Sequence, residues 1–138
     1  MPVLGAAELS KFFREAFPQG HPERFLIDAV TDDAVRLRYV ATADDLRPGN
    51  TVSGPTLMAL SDTAMYLAVL AMIGPVALAV TTSLNINFLR KPSAGELTVE
   101  ARLMKLGKRL AVGEVTIRSE SVEGPVSHAT VTYSIPPR

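Results

Sequence analysis

Cysteine and tryptophan are absent from the 138 residues, and histidine occurs only as His21 and His128. Without cysteine there is no disulfide, no thiolate nucleophile and no thiolate-bound zinc. Two histidines are too few for a histidine-rich metal site, so no metal centre is expected. Charge of one sign is not in excess either: 14 Lys and Arg balance 14 Asp and Glu. Nucleic-acid binding requires a basic surplus that this chain lacks. Charge is also missing locally. Between Arg47 and Arg90 the only charged side chain is Asp62.

The start of the chain has no signal-peptide pattern, because Met1-Pro2-Val3-Leu4-Gly5 passes directly into an amphipathic stretch. A cytoplasmic location is the expectation. Residues 63–80 are uncharged and mostly apolar. Gly74-Pro75 interrupts them, since proline lacks the donor that a continuing helix needs. The run therefore reads as a buried helix followed by a strand, and no membrane span is expected.

What is present is ordered clearly. Leu9, Phe12, Phe13, Ala16 and Phe17 fall at helical spacing over residues 7–17, and Pro18, Gly20 and Pro22 stop that helix. Residues 25–31 and 34–41 read as strands joined by a turn at Asp32-Asp33, with Val35, Leu37 and Tyr39 alternating against Arg36 and Arg38. A polar loop fills 42–53. A long helix then runs from Gly54 to Gly74, with Pro55 in its first turn, where a missing N–H costs nothing. Ser61, Ala64, Ala68 and Ala71 form a stripe that lets this helix sit close to a sheet. Four strands follow, near 77–89, 96–106, 109–121 and 126–135. The sum is one α+β domain over 1–138, an antiparallel sheet against one buried helix. The uncovered sheet edges call for a second copy, as a dimer or a dimer of dimers.

A carboxylate in so apolar a helix must find a partner, reach water or hold its proton more tightly. Asp62 is therefore the leading catalytic candidate. Gly54, lacking Cβ at a helix start, suits close approach to oriented N–H groups. In the next strand, strict alternation puts Thr81, Ser83, Asn85 and Asn87 on one polar face, with Val80, Thr82, Leu84, Ile86 and Phe88 on the other. Arg90-Lys91, Lys105 and Lys108-Arg109 lie at strand ends and a hairpin, where cations can hold phosphates. Tyr66, one turn beyond Asp62, reads either as pocket lining or as core. His21 and His128 have no assigned role.

The order strand–strand–helix–four strands, with Ser53-Gly54-Pro55 at the helix entrance and Asp62 within it, resembles the hotdog fold. It is most similar to the phenylacetate-pathway type of acyl-CoA thioesterase, over essentially the whole chain. That family carries His-Gly-Gly at the helix entrance and an Asp further along the same helix. The resemblance implies that the Gly54 N–H polarises the thioester carbonyl, and that Asp62 acts as nucleophile or as general base for water. It further implies that Thr81 orients the reacting water. Ser53 stands at the family's His, Pro55 at its second Gly, Arg47 at a frequent Asn, and Asn50 at a usual Gly. Ser53 is then expected beside the reacting carbonyl. Arg47, Asn50, Tyr66, Asn85, Arg90, Lys91, Lys108 and Arg109 are expected on the substrate.

The implied ligand is an acyl-CoA, with coenzyme A as part of the substrate and no separate cofactor. Gly54 and Asp62 are eight residues apart, roughly 12 Å along one helix at ~1.5 Å per residue. A single chain cannot bring both to one thioester, so a site shared by two antiparallel helices of a dimer is expected. Two other readings stand beside hydrolysis: a non-catalytic acyl-CoA-binding or structural hotdog protein, and an enoyl-CoA hydratase.

Overall fold

The computed structural model describes residues Met1–Pro137. Helix α1 spans Ala6–Ala16 and buries Leu9 and Phe13. Strands β1 (Phe25–Val30) and β2 (Ala34–Ala41) follow, then a small separate hairpin of β3 (Leu46–Arg47) and β4 (Thr51–Val52). Helix α2 spans Gly54–Ile73, and β5 (Val80–Phe88), β6 (Gly95–Leu106), β7 (Leu110–Ser119) and β8 (Pro125–Ser134) complete the chain. The large sheet is antiparallel in the order β1-β2-β6-β7-β8-β5. It wraps one long helix, which is the hotdog arrangement expected from the sequence.

The boundaries of α2 follow from its terminal residues. Ser53 caps its start by accepting the Thr56 N–H at 3.3 Å, and Pro55 occupies the first turn. Gly74 ends it at φ 95°, where its N–H bonds Leu70 O at 2.8 Å. Ser61, Ala64, Ala68 and Ala71 are all buried, as their small size predicts. The fit is tight at Gly113 of β7, where a Cβ would lie 2.7 Å from Met65 Sδ and 2.7 Å from Arg102 O. Glycine there is what lets helix and sheet meet. The helix is long and apolar enough to cross a bilayer, with mean hydropathy 1.7. In this fold every residue from Ala64 to Ala71 is buried, under the sheet and under the N-terminal segment, whose Val3 and Leu4 N–H groups bond Ala71 O. The first half leaves one flank open, along Pro55, Met58, Ala59 and Asp62.

The alternation of β2 holds: Val35, Leu37 and Tyr39 are buried. Arg38 on the outer face pairs with Asp28 at 2.8 Å and Glu96 at 3.3 Å. The loop over 42–53 is more ordered than a polar composition suggests, because β3 and β4 pair within it.

The alternation of β5 does not hold. Thr81 pairs with Tyr133 of β8, but the next residue in register is Ser83, opposite Thr132. Thr82 is an extra residue, a bulge that reverses the facing of everything beyond it. Thr81 therefore faces the helix, together with Leu84, Ile86 and Phe88. Ser83, Asn85 and Asn87 face outward, opposite Thr132, Thr130 and His128. Asn85 is thus on the sheet face away from α2, which corrects the expectation that it shares a face with Thr81. Strand β5 is also an edge, and Val80, Phe88 and the adjoining Leu78 and Leu89 are exposed.

Candidate active site

Asp62 meets its need for partners from two strands. Thr81 Oγ1 donates to Asp62 Oδ1 at 2.5 Å, and the Tyr133 hydroxyl donates to the same oxygen at 2.7 Å. The Tyr133 hydroxyl is also 3.1 Å from the Asp62 carbonyl oxygen. No hydrogen bond reaches Oδ2 among the described residues. Burial, above all, and then the neighbouring negative charge of Asp62 push the Tyr133 phenol far above the ordinary tyrosine range. It stays protonated and serves as a donor.

Asp62 opens onto a cavity of about 780 Å³. Phe13, Phe17 and Phe25 cover it on one side, and Ala59, Thr63 and Tyr66 of α2 line another. Tyr66 is buried, donates to Ala77 O at 3.1 Å, and packs edge-on against Phe17 at 5.4 Å. Tyr66 thus borders the cavity and belongs to the buried core as well. At the far wall the carboxylate of Asp45 is nearly buried. It accepts from the Tyr39 hydroxyl at 3.1 Å, the Thr42 N–H at 3.0 Å and the Thr56 hydroxyl at 3.3 Å. Arg24 lies 3.8 Å away. This network ties the 42–53 loop to the start of α2.

Gly54 lies elsewhere. It lines a second cavity of about 470 Å³ with Arg47, Pro55, Phe88, Arg90 and Lys91. A Cβ on Gly54 would touch the Phe88 ring at 3.4 Å, so the end of β5 covers the start of α2. The start of β5, at Thr81, covers Asp62. The two halves of the expected site thus occupy opposite ends of β5 and separate cavities within one chain.

Other expected residues are dispersed. The Ser53 hydroxyl is occupied by the helix cap and by the Thr56 hydroxyl at 2.9 Å. Asn50 is at φ 60° in the β3–β4 turn, a left-handed conformation that Asn tolerates, and lines neither cavity. Arg90 lies over Gly124 and donates to Pro125 O at 2.8 Å. Lys108 and Arg109 are exposed in the β6–β7 hairpin, whose Leu110 flanks Ser134 of β8 on the side opposite Val80, level with the start of β5. Arg90 and Lys91 follow the other end of β5, roughly 26 Å away at ~3.3 Å per residue. Lys105 borders a third depression with Met1 and Asp32. The five cations do not form one cluster within a chain.

Tyr133 and the Asp45 network are the features of this region not anticipated. A signal for Tyr133 existed: it ends the buried row Ala129, Val131, Tyr133 of β8, and a buried phenol needs a partner.

Residues 49–126 match the thioesterase superfamily. No curated protein matches the chain. Among solved structures, a candidate thioesterase of Silicibacter sp. TM1040 is 46% identical, with a TM-score of 0.89, over 99% of this chain and 95% of that one. A candidate thioesterase of Ralstonia eutropha JMP134, related to phenylacetic acid degradation, is 28% identical, with a TM-score of 0.79, over 90% and 98% of the two chains. A Streptococcus mutans UA159 protein bound to acetyl CoA shares the fold at 22% identity and a TM-score of 0.73, over 83% and 90%. With more than half of its length matched by the family, and a relative of high identity aligned nearly end to end, this chain belongs to the thioesterase superfamily.

Proposed function

We propose that the protein hydrolyses an acyl-CoA thioester to the free acid and coenzyme A, in a site of the phenylacetate-pathway type shared by two copies of the chain. The observation that carries this reading is Asp62, the one carboxylate of an apolar helix, with Oδ1 held by two hydroxyls and Oδ2 without a hydrogen-bond donor among the described residues. Such a carboxylate takes a proton from water as the water oxygen adds to the thioester carbon, or adds to that carbon itself. The C–S bond then breaks and the sulfur leaves as coenzyme A with the proton taken from water; where the carboxylate itself has added, water then hydrolyses the mixed anhydride, which frees the acid, restores the carboxylate and supplies that proton. The Gly54 N–H, at a helix start, stabilises the developing oxyanion. A donor of that kind contributes ~3 kcal/mol or more.

Edge geometry supports sharing between copies. If β5 pairs antiparallel with β5 of a second copy about a two-fold axis, the Thr81 end of one meets the Phe88 end of the other. Asp62 of one copy then faces Gly54 of the other. The same pairing carries the Lys108-Arg109 hairpin of one copy toward Arg90 and Lys91 of the other, so cations separated in one chain converge on the phosphates. The open flank of α2 and the exposed Val80, Phe88 and Leu89 supply apolar surface for this contact. Acetyl CoA in the Streptococcus mutans protein and phenylacetic acid degradation for the Ralstonia relative fit the same reading.

The test is release of thiol from a panel of acyl-CoA esters by wild type and Asp62→Asn. The expected result is turnover by wild type and a loss of ~10²-fold or more in kcat for the variant, the scale of general-base catalysis. Equal turnover by both would overturn the role of Asp62. The Ser53 hydroxyl, locked in the cap where the family has His, favours one competing reading, an acyl-CoA-binding protein without catalysis. Acyl-CoA binding with no thiol release from any ester would select it.

A further inference from the structure

Thr81 and Tyr133 bind the same oxygen of Asp62 from adjacent strands. The Tyr133 ring is itself fixed, being buried and 6.0 Å from the Tyr66 ring. Its hydroxyl also touches the Asp62 carbonyl oxygen, and so senses side chain and helix backbone together.

We propose that Tyr133 is a positioning residue, which with Thr81 fixes the Asp62 carboxylate so that Oδ1 is held and Oδ2 alone is presented to the reacting centre. Two donors on one oxygen remove rotation about the last side-chain bond, because a flip would put Oδ2 against both hydroxyls and Oδ1 in the cavity. The exchange is degenerate by symmetry but requires breaking both hydrogen bonds at once. With a single donor the plane of the carboxylate is free to swing. Orientation of a reacting group within a few tenths of an ångström is worth orders of magnitude in rate.

Burial keeps the phenol protonated, so Tyr133 acts only as a donor. The other ionisable groups lining the cavity are His21, Arg24, Tyr39, Asp45 and Tyr66, and none of them hydrogen-bonds Asp62. The Asp45 carboxylate is engaged by its own donors, so Thr81 and Tyr133 are the hydroxyls that set the geometry of Asp62.

The inference rests on the proposed role of Asp62 for its kinetic consequence, though its structural content is independent of it. The variant is Tyr133→Phe, which keeps the ring. The expected result is a fall of roughly ten-fold in kcat, the equivalent of one hydrogen bond to a charged group, with KM within two-fold. A residue that only packs would lower stability and leave kcat in place.

A second measurement needs no turnover. The Tyr133 hydroxyl proton should appear in the proton NMR spectrum of wild type as a slowly exchanging downfield signal, absent from Tyr133→Phe and shifted in Asp62→Asn. If wild type releases no thiol from any acyl-CoA, the proposed function falls, and this signal still decides the contact. A Tyr133→Phe enzyme with wild-type kcat overturns the inference. So does a hydroxyl signal that is missing, or indifferent to Asp62→Asn.

Discussion

Thr81 is directly opposite Tyr133 in the β5–β8 ladder, and both hydroxyls converge on one oxygen of Asp62. The pairing places them side by side on the face that meets α2. The Thr82 bulge permits this: it turns Thr81 inward while sending Ser83, Asn85 and Asn87 outward. One inserted residue thereby gives an otherwise apolar inner row, Leu84, Ile86 and Phe88, a polar end at the carboxylate.

Thr81→Val keeps the shape of the side chain and removes its donor. The expected effect is a fall in kcat of about 10- to 100-fold, from ~1.5–3 kcal/mol for a hydrogen bond to a charged group. Urea unfolding should show a folded protein. Steady-state kinetics with the best acyl-CoA checks this, and unchanged kcat would remove Thr81 from the site.

The cations divide into those beside a cavity and those remote from it. Arg47 and Lys91 border the cavity that holds Gly54, whereas Lys105 is in a different depression. Arg47→Ala and Lys91→Ala should each raise KM for acyl-CoA by about two- to five-fold with little change in kcat, the scale of an exposed charge contact. Lys105→Ala should leave KM unchanged. The reverse pattern would move the coenzyme A phosphates to the other end of the sheet.

Burial raises the phenol pKa of Tyr39, Tyr66 and Tyr133 in the fold. In the unfolded chain tyrosine ionises near ~10. The folded state thus prefers the protonated phenol more strongly than the unfolded state does. That stabilisation is complete below about pH 10 and is lost as pH rises toward the folded values. The urea midpoint should fall steadily above pH 10, less steeply in Tyr133→Phe than in wild type. Identical slopes would show that Tyr133 does not carry this preference.

The order of elements was legible because local signals agree. Pro55 and Gly74 bound the helix, the small residues from Ser61 to Ala71 mark its sheet-facing side, and Arg36 and Arg38 mark the wet face of β2. Asp62 and Gly54 stood out because each breaks its local pattern. The bulge was not legible, since Thr82 is flanked by Thr81 and Ser83 and alternation among three hydroxyl residues carries no phase. Nor was the scatter of the cations, because strand ends adjacent in sequence order lie at opposite ends of the sheet. The Asp45 network was hidden in a loop whose composition reads only as polar. The cap role of Ser53 was masked by its place at the family's His.

The central claim is that the working site joins Asp62 of one copy to Gly54 of another, and subunit complementation tests it most directly. Asp62→Asn and Gly54→Val are each expected to be inactive, the second because its side chain would enter the contact with the Phe88 ring. Unfolding and refolding an equal mixture should give heterodimers as about half of all dimers, each with one intact site and one doubly altered site. The account predicts recovery to about a quarter of wild-type activity, as expected for random pairing of a two-fold dimer. A mixture that stays as inactive as its two components, with heterodimers demonstrably formed, would contradict it and confine the site to a single chain.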